Sequence, residues 1–165
     1  TGLTAGIVHL FNHALTKGAL FMLLGGIALR LGGVRFEHIG GIARVMPLTS
    51  FGIVLGGLSL IGVPATVGFI SKWNLVLAAL EGGAWWIAFA IVLSSLLAVI
   101  YVWRFVEAAY FREPGAVVAK LKEAPMEMLV PAWLMIAACI YFGLDATLTV
   151  GSAAQAAATL LQGMR

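Results

Sequence analysis

Pro47-Leu-Thr-Ser-Phe-Gly-Ile-Val-Leu-Gly-Gly-Leu-Ser-Leu-Ile-Gly-Val-Pro-Ala-Thr-Val-Gly-Phe-Ile-Ser-Lys-Trp73 is apolar almost throughout, yet it is interrupted at its centre. The run Gly62-Val-Pro-Ala-Thr-Val-Gly68 divides the apolar region 48–80 into halves of about 15 residues, whereas a full membrane span needs about 17–25. Pro64 and Gly62 make the break: proline has no N–H for a helix ladder, and glycine weakly resists leaving one. Pro47 is placed to open the first half, where its missing N–H costs nothing. The region is therefore either a short helical hairpin that crosses twice or one span unwound in the middle.

The rest of the chain is equally apolar. Hydrophobic residues make up 62% of the 165 and charged residues 10%, with a mean hydropathy of +1.04. A soluble globular chain has about 45–50% apolar and about 25% charged residues. So large an excess cannot be hidden in the core of a domain this small, and the bilayer must be the solvent. The fold class is an all-α integral membrane protein. Four transmembrane elements are expected in one domain over 1–150, at about 3–31, 48–80 (broken at 62–68), 85–108 and 128–148. The tail 151–165, with Ser152-Ala-Ala-Gln-Ala-Ala-Ala158, favours helix but is too weakly apolar for a fifth span.

A net charge of +3 and a pI near 9.4 would suggest nucleic acid in a soluble protein. Here the basic residues sit in loops, without interleaved aromatics, so no nucleic-acid partner is expected. Cys139 stands alone in an apolar run and reads as a small core hydrophobe, with no disulfide framework and no thiolate metal site. No metal-ligand spacing, phosphate loop or nucleophile constellation is present, so no cofactor, metal or active site of its own is expected. The first apolar segment lacks the charged start and cleavage site of a signal peptide. Thr1 already lies inside a hydrophobic pattern, which suggests the C-terminal piece of a longer chain, with the N-terminal half of that chain as a missing partner.

Loop charges discriminate between hairpin and broken span. The loop 30–46 holds Arg30, Arg35 and Arg44, and the loop 104–127 holds Arg104, Arg112, Lys120 and Lys122. The connection 81–84 holds Glu81 and no cation. A single crossing by 48–80 places both basic loops on one side, and a double crossing separates them. Lys/Arg excess marks the cytoplasmic side, so the single broken span is favoured. Both termini are then expected on the outside. Trp85 and Trp86 at one end of the third span, with Tyr101, Trp103 and Tyr110 at the other, suit the two headgroup levels.

Ionisable groups inside the spans mark candidate sites. His9, His13 and Lys17 fall at i, i+4 and i+8 of the first span, one helical face that drifts by only about 40° per step. Lys17 lies about 14 residues from each end, roughly 20 Å by helix rise, which is too far to snorkel. It must face a protein-lined or hydrated interior, where a lysine can serve as a station for protons. Imidazoles titrate near neutrality and both donate and accept, so His13 and His9 could pass protons along this face. Asn12 and Thr16 read as polar glue between helices. Lys72 follows the break, where unwound backbone is tolerated only beside protein or water, and Thr66 and Ser71 could bond the freed groups. Arg104 and Glu107, at i, i+3, read as an interfacial pair and a candidate entrance to a proton path. Glu37 and His38 read as ordinary loop residues.

Two motifs, His9-x3-His13-Ala-Leu-x-Lys17-Gly-Ala-Leu-Phe21 and Gly62-Val-Pro-x-Thr-x-Gly-Phe-x-Ser-Lys-Trp73, resemble the antiporter-like subunits shared by respiratory complex I and Mrp-type cation/proton antiporters. Residues 94–110 are similar to the Mrp D-type subunit in particular. Ala65 after Pro64 and Trp73 after Lys72 lean away from the longest complex I subunit. The resemblance covers residues 1–112 and implies the last part of an inverted-repeat antiporter-like fold. It implies that Lys17 is the central lysine, that His13 and His9 form its relay, and that Lys72 is the lysine of the broken helix on the exit side.

The function expected from these readings is proton, or cation/proton, translocation in a multisubunit assembly in the inner (plasma) membrane. Its partners would be other membrane subunits, the lipid bilayer, protons and, as a further candidate, sodium. Two other readings stand beside it. One is a structural or assembly subunit without conduction, and the other is a subunit of an NADH:quinone oxidoreductase-type translocase.

Overall fold

A computed structural model describes residues 1–163. Its helices are α1 (Gly2–Leu31), α2 (Pro47–Ile61), α3 (Val67–Glu81), α4 (Trp85–Val106), α5 (Met126–Leu144) and α6 (Thr147–Gly163). Short 3-10 turns at Ile42–Arg44 and Val118–Lys120 punctuate the two polar loops, and a π-helical turn at Glu107–Phe111 prolongs α4. Among the described residues, three helical stretches are long and apolar enough to cross a membrane: Gly2–Leu31, Trp85–Phe111 and Met126–Leu144. At 15 residues each, α2 and α3 are too short to do so separately.

The ends of these helices follow from local sequence. Gly32 closes α1 in the left-handed conformation (φ 79°) and donates its N–H to the Ala28 carbonyl at 2.8 Å. Pro47 opens α2, and Gly62 closes it at φ 94°, with the N–H groups of Gly62 and Val63 both on the Leu58 carbonyl. Ala65 takes φ 70°, a strained conformation for a residue with a Cβ. The Thr66 hydroxyl donates to the Val63 carbonyl at 2.6 Å, giving that freed acceptor a partner.

Contacts along α1 decide how α2 and α3 are joined. Leu23 meets Gly52, Leu20 meets Gly56, Thr16 meets Ser59, Asn12 meets Val67 and His9 meets Ser71. The partner number rises steadily as the α1 number falls. A hairpin would send α3 back past residues 16–23. Instead α2 and α3 run end to end, antiparallel to α1, as one discontinuous span. Val102 lies against Gly57 and Ser95 against Lys72, so α4 returns antiparallel to that span. Met128, Met135 and Cys139 of α5 lie against Gly25, Gly18 and Thr16, so α5 is antiparallel to α1.

Both basic loops consequently gather at one end. Gly41 donates its N–H to the Ala108 carbonyl at 2.9 Å, and Arg30 donates from Nε to the Glu123 carbonyl at 3.1 Å. The hydrophobic core lies at this end too, built on Leu23, Ile27, Ile42, Met46, Phe105 and Leu129. By contrast α4 is exposed along most of its length, with only Ala88, Ala98 and Phe105 buried.

Two expectations need correction. The fourth span ends at Leu144, short of 148, because the Asp145 carboxylate accepts the Thr147 N–H at 3.0 Å and starts a new helix. The Thr147 hydroxyl, which donates to the same carboxylate, and the Thr147 N–H hold the Asp145 carboxyl below its ordinary range. Residues 151–163 are thus the body of α6, which packs on α1, while 164–165 of the expected tail lie outside the described residues. Arg104 and Glu107 do not pair. The π turn begins at Glu107, whose carboxylate accepts from Arg112 at 3.4 Å, while the Arg104 guanidinium sits 5.3 Å from the centre of the Phe36 ring.

Candidate functional site

The break between α2 and α3 faces the histidine-bearing stretch of α1, and a polar cavity of about 230 Å3 lies between them. Its wall contains His9, His13 and Lys17 from α1 and Ser71 and Lys72 from α3. The four expected relay residues and Ser71 thus reach one hollow, whereas Thr66, Arg104 and Glu107 do not line it.

Close approach of the two half-helices creates the wall. A Cβ on Gly68 would fall 1.6 Å from the Ser59 carbonyl oxygen, so only glycine allows α3 to start this near the end of α2. On the far side, a Cβ on Gly143 would fall 2.5 Å from the Thr66 backbone, so the unwound segment rests directly on α5. Protein thus covers the break on the α5 side, as unwound backbone at membrane depth requires, while Pro64 and Ala65 stay exposed in this chain.

Lys72 turns back onto the helix that precedes it. Its Nζ donates to the Leu60 carbonyl at 2.8 Å, the Ile61 carbonyl at 3.0 Å and Ser95 Oγ at 2.7 Å. The last carbonyls of a helix lack intrahelical donors and carry the negative end of its dipole. An ammonium group supplies both the donors and the charge. Lys72 therefore ties together α2, α3 and α4 at the break.

On the other side of the cavity the α1 face is ordered by hydrogen bonds to the same span. His9 Nδ1 lies 3.3 Å from Ser71 Oγ, and Ser71 in turn donates to the Gly68 carbonyl at 3.2 Å. The rings of His9 and His13 are 5.2 Å apart between centroids. Asn12 donates to the Val67 carbonyl at 3.1 Å, and the hydroxyls of Thr16 and Ser59 are 3.0 Å apart. These two bonds are the polar glue expected of Asn12 and Thr16. Cys139 is buried, with its sulfur 3.6 Å from the Thr16 hydroxyl.

Lys17 occupies the open side of the cavity and is exposed in this chain, while His9 and His13 are half-buried. Asn12 Oδ1 is buried on the cavity wall with no protein partner. A polar hollow with an unpaired acceptor suits water, and each water needs about 30 Å3, so a short string of them fits. The arrangement can therefore link the imidazoles of α1 to the ammonium of Lys72 through hydroxyls and water.

Three residues escaped the sequence reading, Ser59 and Ser94 on the cavity wall and Ser95 on Lys72, and Tyr101, expected at a headgroup level, lines the cavity instead. The adjacent serines in an otherwise apolar α4 were the available signal. Glu123 was also missed. Its carboxylate accepts the Leu48 N–H at 2.9 Å and the Thr49 N–H at 3.4 Å, and the Thr49 hydroxyl bonds it as well. An anion from the second basic loop thus caps the start of the broken span.

Comparison with known proteins follows the same lines. Residues 1–98 match the family model described as NADH:quinone oxidoreductase/Mrp antiporter, TM. The chain is 40% identical over 154 residues to NADH-quinone oxidoreductase subunit N of Desulforudis audaxviator, covering 86% of this chain and 31% of that one. It is 30% identical over 155 residues to an Na(+)/H(+) antiporter subunit of Bacillus subtilis, covering 94% of this chain and 31% of that one. The Mrp complex structure from Dietzia sp. DQ12-45-1b contains a chain with the same fold, at a TM-score of 0.81 and 24% identity over 92% of this chain and 37% of that one. The chain thus spans about a third of the length of these three relatives. Both branches of the family are among them, so Ala65 and Trp73 do not by themselves assign a branch. The chain belongs to the NADH:quinone oxidoreductase/Mrp antiporter transmembrane family.

Proposed function

We propose that this chain is part of a subunit that translocates protons, or exchanges them for a cation such as sodium, within a multisubunit complex of the inner membrane. The observation that carries the reading is the polar cavity at the break, which gathers His9, His13, Lys17 and Lys72. In this reading protons pass between water and the His9–His13 pair, and Lys17 and Lys72 serve as the charged stations at the cavity's two sides. Changes in charge elsewhere in the complex would bias Lys17, which lies on the open side. The basic loops face the cytoplasm, and the entrance lies at their end of the molecule, near Arg104 and Glu107.

The three hydrogen bonds of Lys72 favour a second role for that residue, as the cap that holds the broken span together. The two roles separate experimentally. Lys17 has no such bonds to lose, so Lys17→Ala in the full-length parent should abolish coupled transport in vesicles while the complex still assembles. Undiminished transport by Lys17→Ala would refute the relay. Orientation is checked by single cysteines at positions 37 and 120, which should react with an impermeant thiol reagent from the same, cytoplasmic side.

A further inference from the structure

Two more hollows lead from the polar cavity towards the basic loops. The first, of about 360 Å3, is walled by side chains such as Leu20, Leu24, Ile53 and Val102, and Tyr101 is the one polar side chain lining it. It shares Tyr101 and Leu60 with the polar cavity. The second opens among Arg35, Glu37, Arg104 and Arg112, and it shares Val34 and Phe36 with the first. An apolar chamber therefore ends in a charged mouth.

Water does not suit the chamber, because a buried water needs two to four polar partners and the wall offers one hydroxyl. Hydrocarbon suits it. The mouth has the opposite character. Three arginines (Arg35, Arg104, Arg112) stand there against two carboxylates (Glu37, Glu107), leaving a charge of +1. Glu107 engages Arg112. Arg104 is held over Phe36 at the rim, and its planar fork of donors matches phosphate geometry. The exposed side chains Val34 and Phe36 mark this rim as lying at the level where apolar and polar surroundings meet. Trp103 and Tyr110, exposed on the same end of α4, belong to the headgroup belt.

A ligand that fills both hollows has a hydrocarbon chain at one end and an anion at the other. We propose that they form a binding site for an anionic phospholipid of the leaflet facing the basic loops. One acyl chain occupies the chamber as far as Tyr101, and the phosphate lies on Arg35 and Arg104. Basic pockets between transmembrane helices on the cytoplasmic side are suited to such headgroups. Free phosphate would use the mouth alone and leave the chamber unexplained.

The test uses the full-length parent complex in vesicles, with Leu24 replaced by the photo-reactive p-benzoylphenylalanine. On illumination, cross-linking to phospholipid is expected in vesicles containing phosphatidylglycerol, at a yield well above that in purely zwitterionic vesicles. The double variant R35Q/R104Q should lower that yield about tenfold, the change that 1.4 kcal/mol gives. Cross-linking of position 24 to protein, whether the parent's own helices or another subunit, would overturn the proposal. So would a lipid cross-link indifferent to both the arginines and the lipid charge. If the Leu24 variant fails to assemble, the same photo-reactive residue at Val34 on the rim gives the same two readings.

Discussion

A methyl group added at Gly68 would lie 1.6 Å from the carbonyl oxygen of Ser59 and 2.7 Å from its carbon. Bringing the first contact to 3.0 Å would require α2 and α3 to part by 1.4 Å at the break. Both atoms are backbone, so no side-chain rotation relieves the clash. That displacement is enough to stretch the bonds from Lys72 to the Leu60 and Ile61 carbonyls, now 2.8 and 3.0 Å, out of bonding range. Overpacking costs about 1–3 kcal/mol, and weakening a charged hydrogen bond adds about 1.5–3 kcal/mol. Gly68→Ala should therefore destabilise the subunit by about 2.5–6 kcal/mol, a large part of the margin of about 5–15 kcal/mol typical of a folded domain. Gly151→Ala, where nothing lies within 4 Å of the new Cβ, is the matched control. In the full-length parent, the assembled fraction and its thermal midpoint should fall for Gly68→Ala and hold or rise for Gly151→Ala. Equal midpoints and equal transport for the two variants would refute the close crossing of α2 and α3.

Three further outcomes follow from particular bonds. Lys72→Met removes the ammonium from two helix-end carbonyls and should lower the thermal midpoint as well as transport, whereas Lys17→Ala should lower transport alone; proteoliposome flux and melting curves measured on both variants check this. Glu123→Ala leaves the Leu48 and Thr49 N–H groups without their anion and should cost about 1–3 kcal/mol, with Glu123→Gln costing less; protease sensitivity of the 112–125 loop reports the release. The Asp145 carboxyl is held low by the hydrogen bonds of Thr147, so its contribution is present above the unfolded value of about 3.9 and is lost as pH falls through the lower folded value. Hydrogen exchange of residues 147–150 should accelerate over that acid window, and Asp145→Asn should flatten the dependence.

What the sequence disclosed, and what it hid, divides by distance along the chain. Gly62 and Pro64 announce the break because their backbone chemistry is local, and the loop charges favour single crossing because orientation is a sum over loops. The i, i+4, i+8 spacing places His9, His13 and Lys17 on one face for the same reason. The partners of these groups are another matter. Nothing within a helical turn of Lys72 says that its ammonium returns to Leu60 and Ile61 or meets Ser95, since each lies more than ten residues away. Glu123 caps a helix whose start is 75 residues distant, in a loop read for its four cations although it holds four glutamates as well. The Arg104–Glu107 pairing failed for a subtler reason. An i, i+3 pair assumes α-helical geometry, and the turn that begins at Glu107 is wider than that. Freed there from an intrahelical partner, the Ala108 carbonyl takes the Gly41 N–H and binds the first basic loop to the second. The same irregularity that defeated the spacing rule thus frames the charged mouth at the basic end, just as the irregularity at residues 62–66 frames the polar cavity. In this fold the interruptions of helices are where its polar groups converge, and they are the places to perturb it.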